Sequence, residues 1–352
     1  MTQLIRQLPS SDLDIIGDVH GEIGALCTLL DRLGYDDQGR HPQNRRLVFV
    51  GDLVDRGPNS LGVLELVIPM CESGMAFVTA GNHELNLLRK KIKHGNKWFY
   101  GKGEHLFSEK DTDNPDALSH KTFTRCVQEQ EKRDEILSFF QTLPIALERE
   151  DLRVVHACWD ERSIQTLRNG NQNLIERYYE LEAELNQKAP PKAYPPEGSK
   201  PSPQTIAQNQ ERDLFLQNNN PIKVISSGLE QKAQKVMFIG GSPRYTSRQH
   251  WWKKYEGPPV VFGHYWRRRS EHRIPIDNPL DMRKSPPPYV FSDFSSYEWL
   301  NKSFCVDYSV GARYAERATR KTLGSTGAYL CAFRTHGSKY SLLFDDGLSI
   351  TL

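Results

Sequence analysis

Val48-Phe49-Val50-Gly51-Asp52-Leu53-Val54-Asp55-Arg56-Gly57-Pro58 is the stretch whose reading decides the fold. Arg46 to Val50 is a short apolar run rich in β-branched and aromatic residues, which predicts a buried strand. Gly51 lets the backbone turn, and Asp52 stands where the strand opens into a loop. In open α/β sheets, ligands bind at that edge, outside the carboxyl ends of the strands. By itself the stretch equally fits a strand followed by an ordinary polar turn, so the decision falls to its surroundings.

The same cadence recurs on both sides. Leu13 to Gly17 predicts a strand that breaks into Asp18-Val19-His20-Gly21, and Ala76 to Thr79 another that breaks into Gly81-Asn82-His83-Glu84. A helix with Ile23, Leu26, Leu30 and Leu33 on one face separates the first two strands, with Gly34 at its stop. A second, starting at Pro58, Asn59 or Ser60 and ending before Gly74, separates the next two. Strands alternating with helices predict parallel βαβ units, with all three polar loops on one sheet edge. Residues 85–142 read as mostly helical, with a surface loop around Gly95–Pro115.

Two further strands, Leu143–Leu147 and Leu152–His156, are joined by a charged turn, and Pro259–His264 again ends in a histidine. Between them, residues 160–257 are charged and proline-rich, with a helix at Leu174–Gln187. They read as an insertion or lid on a single domain of residues 1–352, too poor in apolar residues for a second core. Phe304–Asp307, Ala328–Phe333, Tyr340–Phe344 and Leu348–Leu352 read as antiparallel strands, the last pair joined by Asp345-Asp346-Gly347.

With 352 residues the chain can bury a sizeable core. A net charge of +2 argues against a broad nucleic-acid or membrane field. Met1–Ser10 lacks the apolar core of a signal peptide, and no run reaches the ~18 apolar residues of a membrane span. Cys27, Cys71, Cys126, Cys158, Cys305 and Cys331 are scattered, and read as buried thiols in a reducing, cytoplasmic compartment.

Collected at five strand ends are Asp18 with His20, Asp52, Asn82 with His83, His156, and His264. A lone histidine after a strand is more often a hydrogen-bonded loop residue than a ligand. Oxygen or imidazole donors at every strand end instead suit Mn, Fe, Zn or Co. Two metals ~3.5–4 Å apart need a shared oxygen ligand, and Asp52, on the central strand of three, is the natural bridge.

Gly17–Gly21, Gly51–Gly57, Gly81–Glu84, His156 and Gly263-His264 together resemble the calcineurin-like metallophosphoesterase superfamily, and within it the phosphoprotein phosphatases and symmetrical diadenosine tetraphosphatases. The resemblance spans residues 13–264 and, through the closing strands, reaches about residue 334. It implies an α/β fold of four layers, α/β/β/α, with two packed mixed sheets flanked by helices. It further implies that Asp18, His20 and Asp52 hold one divalent ion and Asp52, Asn82, His156 and His264 a second. Manganese comes first, with iron, zinc, cobalt or nickel as alternatives. His83 would donate a proton to the leaving oxygen, Asp55 would support His83, and Arg56 and Asn82 would bind phosphate, while a hydroxide bridging the metals attacks phosphorus in line.

The block Gly263-His264-Tyr265-Trp266 lacks the second histidine of many nucleases and phosphodiesterases of the superfamily. With Asp55-Arg56 and Glu84, that favours the phosphatase branch. A phosphatase of phosphomonoesters, phosphoserine and phosphothreonine proteins first, is therefore expected. A symmetrical dinucleoside polyphosphate hydrolase is the alternative, and a non-catalytic scaffold a remote third. Tyr265 and Trp266 are read as packing residues before stacking ones, Arg244 and Arg248 as surface arginines that by position could reach phosphate, and Arg267–Arg273 as a solvated loop.

Overall fold

The computed structural model describes residues 3–101, 123–195, 201–239, 242–269, 302–318 and 322–352. In chain order, β1 (Ile5–Gln7) and β2 (Leu13–Ile16) lead into α1 (Ile23–Leu33), β3 (Arg46–Phe49), α2 (Ser60–Glu72) and β4 (Ala76–Val78). Gly34 ends α1 in the left-handed conformation with φ 92°, and the Asn59 side chain caps α2 by accepting from Gly62 N–H at 2.8 Å. Both ends are as the sequence predicts, because each uses a residue whose side chain, or lack of one, satisfies the orphan backbone groups.

Next come α3 (Asn82–Leu88), α4 (Gln130–Thr142), β5 (Ala146–Arg149) and β6 (Leu152–Val155). Among the described residues of 85–142, α-helix is limited to the end of α3 and to α4. Of the expected Gly95–Pro115 loop, the described part is no surface excursion. It forms a 3₁₀ turn, His94–Tyr100, that buries Trp98 and Phe99. The remainder lies outside the described residues.

Residues 160–257 supply α5 (Glu161–Arg168), α6 (Leu174–Lys188), α7 (Pro203–Asn218), α8 (Pro221–Ser227) and a ribbon of β7 (Glu230–Ile239) and β8 (Ser242–Arg248). Their apolar residues are few but well placed. Ile164, Leu167, Tyr178, Ile225 and Trp252 are buried in the same cluster as the sheet residues Val155 and Phe262. α5, α6 and α8 therefore pack on the main core, whereas α7 contributes no residue to it.

The chain closes with β9 (Val260–Phe262), β10 (Ser303–Cys305), α9 (Arg313–Ala318), β11 (Cys331–His336), β12 (Lys339–Phe344) and β13 (Ser349–Thr351). One sheet runs β13-β12-β11-β2-β3-β4 and the other β1-β5-β6-β9-β10. β2, β3 and β4 are mutually parallel, as are β6, β9 and β10, whereas β11 to β13 are antiparallel. β10 corrects the expectation that all late strands are antiparallel: it pairs parallel with β9 in the other sheet.

Alternation along the strands builds the layers. Leu13, Ile15, Val48 and Val50 share one apolar cluster with Leu152, Val154 and Val261 of the other sheet, so these faces meet inside the sandwich. Ile16, Leu47 and Phe49 point the other way, into the cluster that includes Leu26 and Leu64 of α1 and α2. Each buried aliphatic side chain contributes about 1.5–3 kcal/mol. Both sets of parallel strands end at the same place, where Gly263 N–H donates to His156 O at 2.8 Å and His156 Nδ1 meets Val50 O at 2.9 Å.

Candidate active site

The loops leaving these strand ends are bent sharply. His20, Asp52, Asp55, Arg56 and His264 all have positive φ, between 48° and 74°. Left-handed backbone costs a non-glycine residue about 1–3 kcal/mol, and clustering of such residues marks a site where the scaffold enforces a geometry. Part of that enforcement comes from Glu84. Its buried carboxylate accepts from Asp52 N–H at 2.9 Å, Leu53 N–H at 2.8 Å and Gly81 N–H at 2.9 Å, tying the β3 loop to the start of α3. Burial, then the charge of Asp52, pushes its carboxyl up to about 7. The sequence offered a signal for this residue, a glutamate three positions into a helix.

Asp52 lies at the centre. Its Oδ2 stands 3.3 Å from His156 Nε2 and 3.8 Å from the Nε2 atoms of both His20 and His83, and its Oδ1 accepts from His83 N–H at 2.9 Å. Burial raises the Asp52 carboxyl, but the charges of His156 and His83 outweigh it and hold it well below the usual carboxylate range. Asp18 lies 3.8 Å from His20 Nε2 and accepts from His264 N–H at 3.2 Å. Asn82 Oδ1 is 3.3 Å from His156 Nε2. Asp18, His20, Asp52, Asn82, His156 and His264, the residues expected to ligate metal, are thus brought to one place. The donor atoms that lie close enough to share an ion form two overlapping groups, His20 with Asp52 and His83, and Asp52 with His156 and His264. The first takes in His83, expected as the proton donor and not as a ligand.

The donor set fits divalent cations. His20 Nδ1 meets Val54 O at 3.0 Å and His156 Nδ1 meets Val50 O at 2.9 Å; each ring then carries its proton on Nδ1 when neutral and turns a bare Nε2 inward. The Nε2 atoms of His20 and His264 are buried with no hydrogen-bond partner among the described residues. Burial followed by the Arg56 charge lowers the His20 imidazole, and burial followed by Arg248 lowers that of His264, which keeps both neutral. Buried carboxylates and neutral imidazoles without a thiolate are hard and borderline ligands.

Beside this cluster, His83 Nδ1 and Asp55 Oδ2 are 2.6 Å apart. The other oxygen of Asp55 accepts from Trp98 Nε1 at 2.8 Å, and Ser60 Oγ accepts from Asp55 N–H at 2.9 Å. Arg56 Nη2 lies 3.4 Å from His83 Nε2, and its guanidinium stacks 4.7 Å above the Trp266 ring. Trp98 was missed from the sequence because it falls in a stretch read as a loop. Trp266 does more than pack, since it carries the arginine, whereas Tyr265 is fully buried.

The remaining arginines depart from expectation. Arg267, Arg268 and Arg269 are buried, not solvated: Arg267 donates to Cys305 O at 3.3 Å, Arg268 to Thr326 Oγ1 at 3.3 Å, and Arg269 to Asp346 at 2.7 Å while stacking on Tyr329. Arg273 lies outside the described residues. Arg244 and Arg248 are half-buried rather than free on the surface. The first pairs with Glu230; the second donates to His264 O at 2.9 Å and so borders the cluster. Among the cysteines, Cys27 is exposed, against expectation, and all six are free thiols. Among the described residues no helix is long and apolar enough to cross a membrane.

Two packed mixed sheets flanked by helices, with aspartates and histidines converging at the strand ends, define a phosphoesterase of the calcineurin-like type. The calcineurin-like phosphoesterase family profile matches residues 12–274, and the chain belongs to that family. An asymmetrical bis(5'-nucleosyl)-tetraphosphatase of Halalkalibacterium halodurans is 47% identical over 91 residues, covering 23% of this chain and 37% of that protein. A symmetrical bis(5'-nucleosyl)-tetraphosphatase of Ralstonia nicotianae is 49% identical over 73 residues, covering 21% of this chain and 23% of the relative. The chain therefore spans about a third or less of the length of these curated relatives. A cold-active protein-tyrosine phosphatase of a psychrophilic Shewanella aligns over 99% of this chain and 83% of its own, at 16% identity and a TM-score of 0.45.

Proposed function

We propose that the protein is a metal-dependent hydrolase that cleaves a dinucleoside polyphosphate. The observation that carries the catalytic part is the placement of His83, held by Asp55 and facing Arg56, directly beside the cluster centred on Asp52 Oδ2. In this reading Asp18, His20 and Asp52 hold one divalent cation and Asp52, Asn82, His156 and His264 a second, with manganese the first candidate and iron, zinc, cobalt and nickel behind it. When bound, such a pair supplies Lewis acidity to the phosphoryl oxygens and a water acidic enough to act near neutral pH.

The chain's own residues do the rest. Arg56 turns its planar fork to the phosphate oxygens, supported from behind by the Trp266 ring. Asn82, with its amide oxygen beside His156, offers its NH₂ to the same group. His83 holds a proton on Nε2 for the leaving oxygen, and Asp55 fixes the ring through Nδ1. The oxygen of the leaving nucleotide thus departs as P–OH, with one negative charge fewer than the unprotonated phosphate.

The substrate class reverses the order expected from the motifs, where phosphoproteins came first. Support comes from the tetraphosphatase names of the relatives, together with a second basic side chain, Arg248, bordering the cluster. In this reading α5, α6 and α8, which join the common core, would form a fixed wall of the site. A nucleotide substrate and six free thiols fit a cytoplasmic enzyme.

The test is a comparison of diadenosine tetraphosphate, p-nitrophenyl phosphate and a phosphoserine peptide at matched manganese. The expected result is a kcat/KM at least tenfold higher for the dinucleotide. ADP alone as product marks symmetrical cleavage, and ATP with AMP marks asymmetrical cleavage. A preference for the phosphopeptide would overturn the substrate class, and no manganese-dependent turnover of any of the three would overturn the enzyme.

A further inference from the structure

Between α3 and the buried 3₁₀ turn the chain reads Arg89-Lys90-Lys91-Ile92-Lys93, and the catalytic arrangement above uses none of it. Arg89 and Lys90 close α3. Lys90, at φ 54°, turns the chain out of the helix, and cations there answer the negative end of its dipole. Lys91 and Lys93 lie past that turn, and both are exposed.

Ion pairing separates the group further. Arg89 pairs with Glu182 at 3.1 Å and Lys223 with the same carboxylate at 3.4 Å, and both cations rest on the Tyr178 ring. Lys91 and Lys93 have no ion-pair partner among the described residues. Burial, then the charge of Arg89, lowers the Lys91 ammonium; Glu182 opposes this, and Lys223 and Lys93 add to it. The stretch thus carries more positive charge than its neighbours neutralise.

The backbone places that charge beside the active site. Gly95 O accepts from Arg56 N–H at 3.1 Å, and a Cβ on Gly95 would stand 3.4 Å from Asp55 Cβ. Two residues of chain span at most about 7 Å, so Lys93 lies within that distance of the contact. Asn96, fully buried, fixes the approach: its Oδ1 accepts from Lys93 N–H at 2.8 Å, and its Nδ2 donates to Lys91 O at 2.8 Å. One amide therefore holds both lysines on a turn whose far end touches the phosphate arginine.

We propose that Lys91 and Lys93 bind the substrate phosphates that lie beyond the one held by Arg56, and so favour a polyphosphate chain over a single phosphoryl group. The inference rests on the dinucleoside polyphosphate reading above. A phosphomonoester has no second phosphate to bring to these lysines, whereas a chain of phosphates brings several negative charges. Because both side chains are exposed, the contribution is to affinity, is screened by salt, and does not touch the chemical step.

The test is Lys91→Gln with Lys93→Gln in one chain, which removes two charges and keeps the stems. Turnover of diadenosine tetraphosphate and of p-nitrophenyl phosphate is measured at low and high salt. Orthophosphate and tripolyphosphate are compared as inhibitors of p-nitrophenyl phosphate hydrolysis, with manganese in excess throughout. We expect the KM for the dinucleotide to rise about fivefold or more at low salt with kcat unchanged, and the gap to narrow at high salt. Tripolyphosphate inhibition should weaken by a similar factor, while orthophosphate inhibition and p-nitrophenyl phosphate turnover hold. Lys91→Arg with Lys93→Arg should restore the wild-type values. An unchanged dinucleotide KM with unchanged tripolyphosphate inhibition would overturn the inference. So would an equal loss on every substrate and inhibitor, the mark of a distorted Arg56 loop. A wild-type chain that turns over p-nitrophenyl phosphate but not the dinucleotide overturns the substrate class instead, and the tripolyphosphate comparison then still decides for or against the lysines.

Discussion

Trp98 Nε1 donates to Asp55 Oδ1 at 2.8 Å, while the Oδ2 atom of the same carboxylate meets His83 Nδ1 at 2.6 Å. The indole thus fixes the plane of the carboxylate that fixes the imidazole. Trp98→Phe keeps the buried ring and deletes only the donor. The expected outcome is a kcat reduced roughly tenfold, part of the ~10²–10⁴-fold that positioned acid catalysis supplies. The loss should be larger for alkyl phosphates than for p-nitrophenyl phosphate, whose leaving group scarcely needs a proton. An equal loss on both substrates would show that Trp98 acts on folding alone.

His83→Asn and Asp55→Asn extend the same logic. His83→Asn removes the proton donor and should lower kcat by about 10²–10⁴-fold on an alkyl ester, with a much smaller loss on p-nitrophenyl phosphate. Asp55→Asn leaves the ring in place but replaces the acceptor at Nδ1 with a neutral amide, so its effect should be intermediate. Steady-state kinetics on leaving groups of graded pKa would check both, since each variant should steepen the dependence of rate on leaving-group pKa. Slopes equal to that of wild type would remove His83 from the proton-transfer role.

Arg56 tests phosphate binding. Its guanidinium rests on Trp266 at 4.7 Å, and Lys cannot reproduce either the stacked plane or the two-pronged contact. Hydrogen bonds to charged groups contribute about 1.5–3 kcal/mol. Arg56→Lys should therefore lower kcat/KM by roughly 10–100-fold, and Trp266→Leu by less. Inorganic phosphate inhibition, measured in parallel, should weaken in step for Arg56→Lys.

The site was more legible than the wall around it. Asp18, Asp52, Asn82, His156 and His264 each follow a strand that its own neighbours in sequence announce, so local pattern carries them to one edge. Trp98 was not legible, because its partner Asp55 is remote and the Gly95–Tyr100 turn has the polar, glycine-containing composition of a loop. Arg267–Arg269 misled in the same way. Three consecutive arginines suggest solvent, and their burial depends on Asp346, Thr326 and Tyr329, supplied by the closing strands and turns. The parallel pairing of β10 with β9 joins segments remote in sequence, which the pattern of β10 alone does not disclose.

Far from the site, Asp14 is fully buried in β2 and accepts from Arg45 at 2.8 and 2.9 Å, Arg334 at 2.7 Å and the Tyr35 hydroxyl at 2.8 Å. Arg45, 1% exposed, also donates to Leu13 O at 2.8 Å and Thr335 O at 2.9 Å, bracing β2 against the end of β11. Breaking one side of a buried pair leaves an uncompensated charge and costs about 3–5 kcal/mol. Arg45→Ala should lose stability on that scale in denaturant unfolding. The fraction that stays folded should keep wild-type kcat, because the network touches none of the residues around Asp52.

Metal binding should depend on pH in a direction set by His156. Burial would lower this imidazole, but the carboxylates of Asp52 and Asp18 outweigh burial and raise it to about 9 in the metal-free protein. Below that pH the ring carries a proton on both nitrogens, and Nε2, 3.3 Å from Asp52, has no lone pair for a cation. A cation that takes this position must expel the proton. Raising the pH removes the competitor, so affinity at the His156 site should rise by roughly tenfold per pH unit between about pH 6 and 8, with close to one proton released. Titration calorimetry in buffers of different ionisation enthalpy measures that proton directly. A dissociation constant independent of pH across the range, with no buffer dependence of the heat, would mean that His156 is already neutral before the metal arrives.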